Sequence, residues 1–197
     1  MNFLAHFHLA WPEDTLVVGA LEGDFLKGPL RGRLPRDIER GVALHRAIDA
    51  YTDSHPLLLD LRRAFPERLR RYTSILVDLS FDHYLSRHWS CFSSVPLSDF
   101  IPAVHDHLEN HRHHLSERAE HMRQRLVHYD LLGRYTDWET VPQSAARVGE
   151  RFTRGNPFAA IGTTLEAARP MMEEAFLAFY PQLLEFSAEK KHGLRAG

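Results

Sequence analysis

Histidine and aspartate interrupt otherwise apolar stripes at two places in this chain. In the first, Ile38, Val42, His45, Asp49 and Thr52 advance by four, three, four and three residues, which sets them on one face of a helix. The stripe begins apolar and turns into an imidazole and a carboxylate one turn apart. In the second, Ile75, Asp78, Asp82, Leu85 and Trp89 keep the same alternation of threes and fours, with His83 beside Asp82. Asp24 closes a third apolar run, four residues after Ala20 and just before Phe25. An ionised side chain in a buried stripe is costly unless it is paired or holds a cation. Carboxylates and imidazoles gathered from three helices therefore describe a site for a divalent cation. Oxygen ligands suit magnesium and manganese, and imidazole moves the preference toward manganese, iron or zinc. Manganese is the first expectation, with Mg2+ or Fe2+ behind it. The competing reading makes His45 and Asp49 a surface ion pair and leaves Asp78 and Asp82 in solvent. Three helices interrupted in the same way weigh against that.

The elements that must carry these residues read as all-α. Apolar residues recur at steps of three and four, and strict alternation bounded by turn residues does not extend beyond about four residues. A first helix is expected from Asp14 or Thr15 to the Gly28-Pro29 break. Pro35 suits the first turn of a second helix, which His55-Pro56 ends. Short helical pieces follow around Leu57 to Phe65, then a long helix from Pro66 to about Trp89 and a linker over Ser93 to Pro96. Ser98 is expected to cap a helix striped by Phe100, Val104 and Leu108. A further amphipathic stretch runs through Met122, Leu126 and Tyr129. Trp138 to Phe152, Pro157 to Ala168 and Pro170 to Phe186 complete the set, with Pro181 expected to kink the last helix. One domain over residues 1–190 and a frayed tail over 191–197 are the expected organisation.

Composition bounds what such a domain does. The chain has 197 residues, 44% hydrophobic and 25% charged, with a single cysteine. That argues for one globular core and against disorder, a disulfide framework or a cysteine zinc cluster. No apolar run approaches the ~20 residues of a membrane span, and the N-terminus lacks a basic leader, so a cytoplasmic setting is expected. A net charge of -2 gives no global attraction to nucleic acid. Fourteen histidines are unusual, yet His105, His107, His111, His113, His114 and His121 lie among arginines and glutamates and read as a solvated surface. Cys91 has no histidine or basic partner at catalytic spacing and reads as structural. Gly-x-Ser-x-Gly, phosphate-loop and dinucleotide patterns are absent.

Five blocks bring a family into view. Asn2-Phe3-Leu4-Ala5-His6, Gly23-Asp24-Phe25, His45-Arg46-x-Ile48-Asp49-x-x-Thr52-Asp53, Asp82-His83-x-Leu85-Ser86-Arg87-His88-Trp89 and Phe179-Tyr180-Pro181 together resemble the acyl carrier protein phosphodiesterases. The resemblance spans nearly the whole chain and is weakest at about residues 100 to 155. It implies a single-domain helical bundle, HD-domain-like, and hydrolysis of the phosphodiester that joins 4′-phosphopantetheine to a serine of holo acyl carrier protein. The doublet here runs Asp82 then His83, the reverse of the HD order, so ligand roles do not transfer mechanically. With the resemblance in place, Asp24, His45, Asp82 and His83 are the expected metal ligands, with His6 and Asp78 as further candidates. Asp49 and Asp53 would orient histidines or handle protons, and Arg46 would hold a phosphate oxygen.

Two alternatives stand beside this reading: an HD-like phosphohydrolase acting on a nucleotide or other small phosphodiester, and a non-catalytic helical protein binding metal through its histidine-rich stretch. The enzyme reading also needs a docking surface, because the resemblance implies a strongly acidic partner. Two basic groups qualify: Arg31, Arg33 and Arg36 with Lys27 and Arg40, and Arg63, Arg70 and Arg71 with Arg62 and Arg68. The oligomeric state is left open.

Overall fold

The computed structural model describes residues 3–153 and 155–196. Among these the secondary structure is α-helix and short 3-10 turn, with no strand, as the spacing of apolar residues requires. The helix that sequence reading did not anticipate comes first: α1, Phe3–Ala10, in which Leu4, Ala5, His6, Phe7, Leu9 and Ala10 are buried. A helix covered on nearly every side shows no polar face to betray its period. Its first turn is capped from far along the chain. Asp82 Oδ2 accepts the Leu4 N–H at 2.8 Å and Asp82 Oδ1 accepts the Ala5 N–H at 3.1 Å, so two otherwise unpaired donors end on one buried carboxylate.

Next come α2 (Asp14–Glu22) and α3 (Arg36–Ser54), the closest pair in the molecule. Gly19 and Gly41 make the approach possible. A Cβ on Gly19 would lie 2.3 Å from the Ile38 carbonyl oxygen, and one on Gly41 would lie 2.7 Å from that of Leu16. The helix expected to reach the Gly28-Pro29 break ends at Glu22, with Asp24 already beyond it, and the chain then runs through Gly28-Pro29 and the expected arginine-bearing loop. Glu39 holds that loop by accepting the Gly32 and Arg33 N–H groups at 3.2 and 2.8 Å.

Then follow α4 (Pro56–Ala64), the single turn α5 (Glu67–Arg70), α6 (Thr73–Arg87) and the single turn α7 (Trp89–Phe92). The long helix expected from Pro66 is therefore two helices, separated at Arg71 and Tyr72. Beyond them lie α8 (Leu97–Asn110), α9 (Glu117–His128) and α10 (Thr140–Gly149). Phe100, Val104 and Leu108 form the buried stripe of α8, but the residue flanking its start is Pro96 and Ser98 lies inside. Ser116 is the serine that caps, its hydroxyl accepting the Ala119 N–H of α9.

The chain closes with α11, Ile161–Ala196, which continues through both Pro170 and Pro181. The two terminal helices expected on either side of Pro170 are thus one. Residues expected as a frayed tail are helical as far as 196. α11 is fastened back onto α1 and the residue that follows it. His8 Nδ1 and the Tyr180 hydroxyl are 2.8 Å apart, and Lys191 Nζ donates to the Trp11 carbonyl at 3.2 Å. Phe81, Phe176, Phe179 and Tyr180 are fully buried where α6 meets α11. Among the described residues no helix is long and apolar enough to cross a membrane.

Candidate metal centre

The register of α2 on α3 builds the site. Gly23 follows Gly19 by four residues and His45 follows Gly41 by four, so the close contact repeats one turn further along. A Cβ on Gly23 would stand 2.3 Å from the His45 ring; the glycine is the slot in which that imidazole lies flat. Asp24 follows immediately, and its Oδ1 is 3.9 Å from His45 Nε2. From the other side α1 supplies His6, whose ring stacks on that of His45 with centroids 4.0 Å apart and planes 18° from parallel.

Asp49, one turn beyond His45, joins the two rings. His6 Nε2 meets Asp49 Oδ1 at 3.2 Å, and His45 Nε2 meets Asp49 Oδ2 at 3.2 Å. One donor atom from each of the three residues lies within 4.8 Å of the other two, the sole such group among the described residues. The imidazoles are buried, whereas the Asp24 and Asp49 side chains are 44% and 43% exposed. The cluster therefore has an imidazole floor and a carboxylate mouth open to solvent.

The electrostatics suit a cation. Burial, aided by the neighbouring His45, pushes the His6 imidazole down to about 3, so it is neutral at physiological pH, and the Nε2 proton shared with Asp49 is the one a cation would displace. Burial alone would raise Asp49, but the hydrogen bonds from His45 and His6 outweigh it and hold the carboxyl well below the usual carboxylate range. Burial raises Asp24, and the charge on Asp49 adds to the rise. Two carboxylates in mutual repulsion with two imidazoles between them form a mixed nitrogen and oxygen donor set, which suits a divalent cation of intermediate hardness.

Other residues singled out by sequence take different positions. Asp82 caps α1 with both oxygens; it is fully buried, and burial lifts it to about 7. His83 points the other way, its Nδ1–H donating to the Tyr135 carbonyl at 2.8 Å, with Ser86 Oγ donating to the same oxygen at 2.9 Å. Asp82 and His83 thus end on different partners, one on α1 and the other on Tyr135. Arg46 presents no free fork: its guanidinium donates to the Gly28 and Leu26 carbonyls at 2.8 and 2.6 Å, which ties down the loop leaving Asp24. Asp53 and Asp78 line a separate cavity one turn further along α3. Asp49, expected to orient histidines or handle protons, meets both imidazoles and lies between them.

In the histidine-rich stretch the His113 and His114 rings lie 4.0 Å apart and His111 stacks on His114 at 6.2 Å, but their donor atoms form no ligand group among the described residues. His111 Nε2 pairs with Asp14 Oδ2 at 2.9 Å, and His107 lies against the Trp11 ring at 5.2 Å. Of the docking arginines, Arg31, Arg33 and Arg36 are exposed on the α2–α3 loop side. Arg63 is paired with Asp60 at 2.6 Å, while Arg70 and Arg71 turn to the cavity.

With that geometry in hand, comparison with known proteins is decisive. The family model described as acyl carrier protein phosphodiesterase matches residues 1–183. The chain belongs to the acyl carrier protein phosphodiesterase family. Proteins named acyl carrier protein phosphodiesterase align over nearly their whole length: that of Photorhabdus laumondii at 31% identity, covering 97% of this chain and 96% of the relative; that of Yersinia pestis at 30%, covering 97% and 100%; and that of Salmonella agona at 32%, covering 96% and 99%. No solved structure gives a significant match. Within the family blocks, Gly23-Asp24 and His45 through Asp49 meet at the cluster. The block from Asp82 to Trp89 serves as scaffold, reaching α1 through Asp82 and α11 through His88, whose Nε2 is 2.6 Å from Glu173 Oε1.

Proposed function

We propose that this protein is a metal-dependent acyl carrier protein phosphodiesterase. It hydrolyses the bond between 4′-phosphopantetheine and a serine of holo acyl carrier protein, giving apo carrier protein and 4′-phosphopantetheine in the cytoplasm. The observation that carries this is the convergence of two buried imidazoles on one carboxylate at 3.2 Å each, with Asp24 at its mouth, in a chain of that family.

His6, His45 and Asp49 would hold the cation, and manganese is the metal that best suits these donors. A bound divalent cation lowers the pKa of water toward neutrality and stabilises negative charge developing on phosphorus. The chain's own residues do the rest. Asp49 fixes both imidazoles in one orientation. Asp24, whose carboxyl burial has raised, stands at the exposed edge where a proton is taken up or given. Arg46 holds the Leu26 to Gly28 loop and with it the direction of Asp24. The apolar helices behind the rings exclude water from the far side, so the phosphodiester enters only across the carboxylate mouth.

Incubation of holo carrier protein with the purified protein and manganese, followed by intact-mass spectrometry, tests the reading. The expected result is conversion of holo to apo mass with release of 4′-phosphopantetheine. Unchanged holo mass under these conditions contradicts it.

A further inference from the structure

A cavity of about 320 Å³ opens between α3, α4 and α6, at the lower end of the range typical of small-molecule sites. It begins next to the cluster: Asp53, on its wall, follows Asp49 by one turn on the same face of α3, which places their Cβ atoms about 5–6 Å apart. Its lining is mixed along its length. Leu58, Leu59 and Val77 give apolar surface, Thr52, Thr73 and Ser74 give hydroxyls, and Asp53 and Asp78 give acceptors. Arg62, Arg70 and Arg71, all exposed, complete the lining at the rim; Arg70 Nε donates to the Phe65 carbonyl at 3.2 Å and the Arg71 guanidinium lies over the Tyr72 ring at 4.6 Å. Apolar surface, hydroxyls, carboxylates and guanidinium groups together offer more than a bare phosphate or a flat base would use. They suit a flexible chain in which methyl-bearing carbon alternates with hydroxyl and amide.

We infer that this cavity receives the pantetheine arm of the substrate, with its methyl-bearing carbon against Leu58 and Val77 and its hydroxyl and amide groups against Asp53 and Ser74. The inference rests on the proposed function and adds to it the means by which the enzyme selects an amide-bearing arm over other phosphodiesters. Arg62 and Arg70 at the rim then face the acidic protein to which the arm is attached.

The test fills the cavity at exposed wall positions. Ser74→Trp and Leu59→Trp are each expected to raise KM for holo carrier protein about tenfold or more, while the rate on bis(4-nitrophenyl) phosphate, which has no arm, is unchanged. Circular dichroism confirms that both variants fold. Calorimetry with free pantetheine, which carries no phosphate, reads the cavity without turnover: saturable binding to wild type and to Asp49→Ala, lost in both tryptophan variants, supports the inference. Wild-type KM in both variants, or no saturable binding of millimolar pantetheine to wild type, overturns it. Failure of wild type to hydrolyse holo carrier protein sinks the proposed function, and the pantetheine titration still decides the cavity.

Discussion

Asp49 accepts from two buried imidazoles at once, and that arrangement fixes what its loss should do. Removing even an outer partner of a metal ligand typically costs 10–100-fold in affinity or activity. Asp49→Ala, which removes the acceptor of both rings and a proposed ligand, is therefore expected to lose at least about 100-fold in turnover while circular dichroism remains helical; near-wild-type turnover in the folded variant would move the site elsewhere. His45→Gln should behave in the same way. His107, His111 and His114 replaced together by glutamine should leave the rate within a few-fold of wild type, because the first packs on Trp11 and the second pairs with Asp14; the opposite ranking favours a histidine-rich metal buffer. At this scale the spacing of His45 and Asp49 was legible because both lie on one stripe of one helix. The exclusion of Asp82 and His83 was not, because a carboxylate inside an apolar stripe looks the same whether it meets a cation or the N-terminus of another helix.

Between elements, two contacts position the residues of the site. Asp82 caps α1 across 78 residues of sequence, so no local cap marks that helix and only tertiary packing reveals it. Asp82→Ala should cost about 1–3 kcal/mol of stability by leaving buried donors unpaired and should displace His6. Chemical denaturation measures the first and manganese affinity the second. The same carboxyl has a defined pH signature. Its pKa rises from the usual 3.8 to about 7 in the folded chain, so folding takes up a proton between those values and stability from this group falls as pH climbs through the window. Asp82→Asn should flatten the decline between pH 4 and 7; an unchanged slope would contradict the burial of the charge. The second contact is Gly23 under His45. Gly23→Ala places a Cβ within 2.3 Å of the ring, and overpacking of this kind costs about 1–3 kcal/mol. Metal affinity should fall with it, although no charged group has changed. The Gly19, Gly23 and Gly41, His45 spacings were visible in the sequence, but which helix faced which was not.

Across the whole molecule, sequence and structure agree on an all-α chain built around one core. They part where helix lengths depend on context: α11 carries Pro170 and Pro181 without ending, and the stretch from Pro66 breaks at Arg71. The charge distribution is where function reaches this scale. A net charge of -2 conceals exposed Arg31 and Arg33 on the loop held by Glu39 and exposed Arg36 at the start of α3. Reversing these three charges should raise KM for holo carrier protein and flatten its salt dependence, with bis(4-nitrophenyl) phosphate turnover unaffected, since screened attraction governs encounter; unchanged KM at low salt removes the loop from the docking surface. The central claim is that a cation held by His6, His45 and Asp49 performs the hydrolysis, and one measurement addresses it directly: conversion of holo to apo carrier protein by chelator-treated wild type and Asp49→Ala, each with and without added manganese. The account predicts no conversion by chelated wild type, restoration by manganese, and no restoration in Asp49→Ala. Full conversion by the chelated wild type, or manganese rescue of the variant to the wild-type rate, would contradict it.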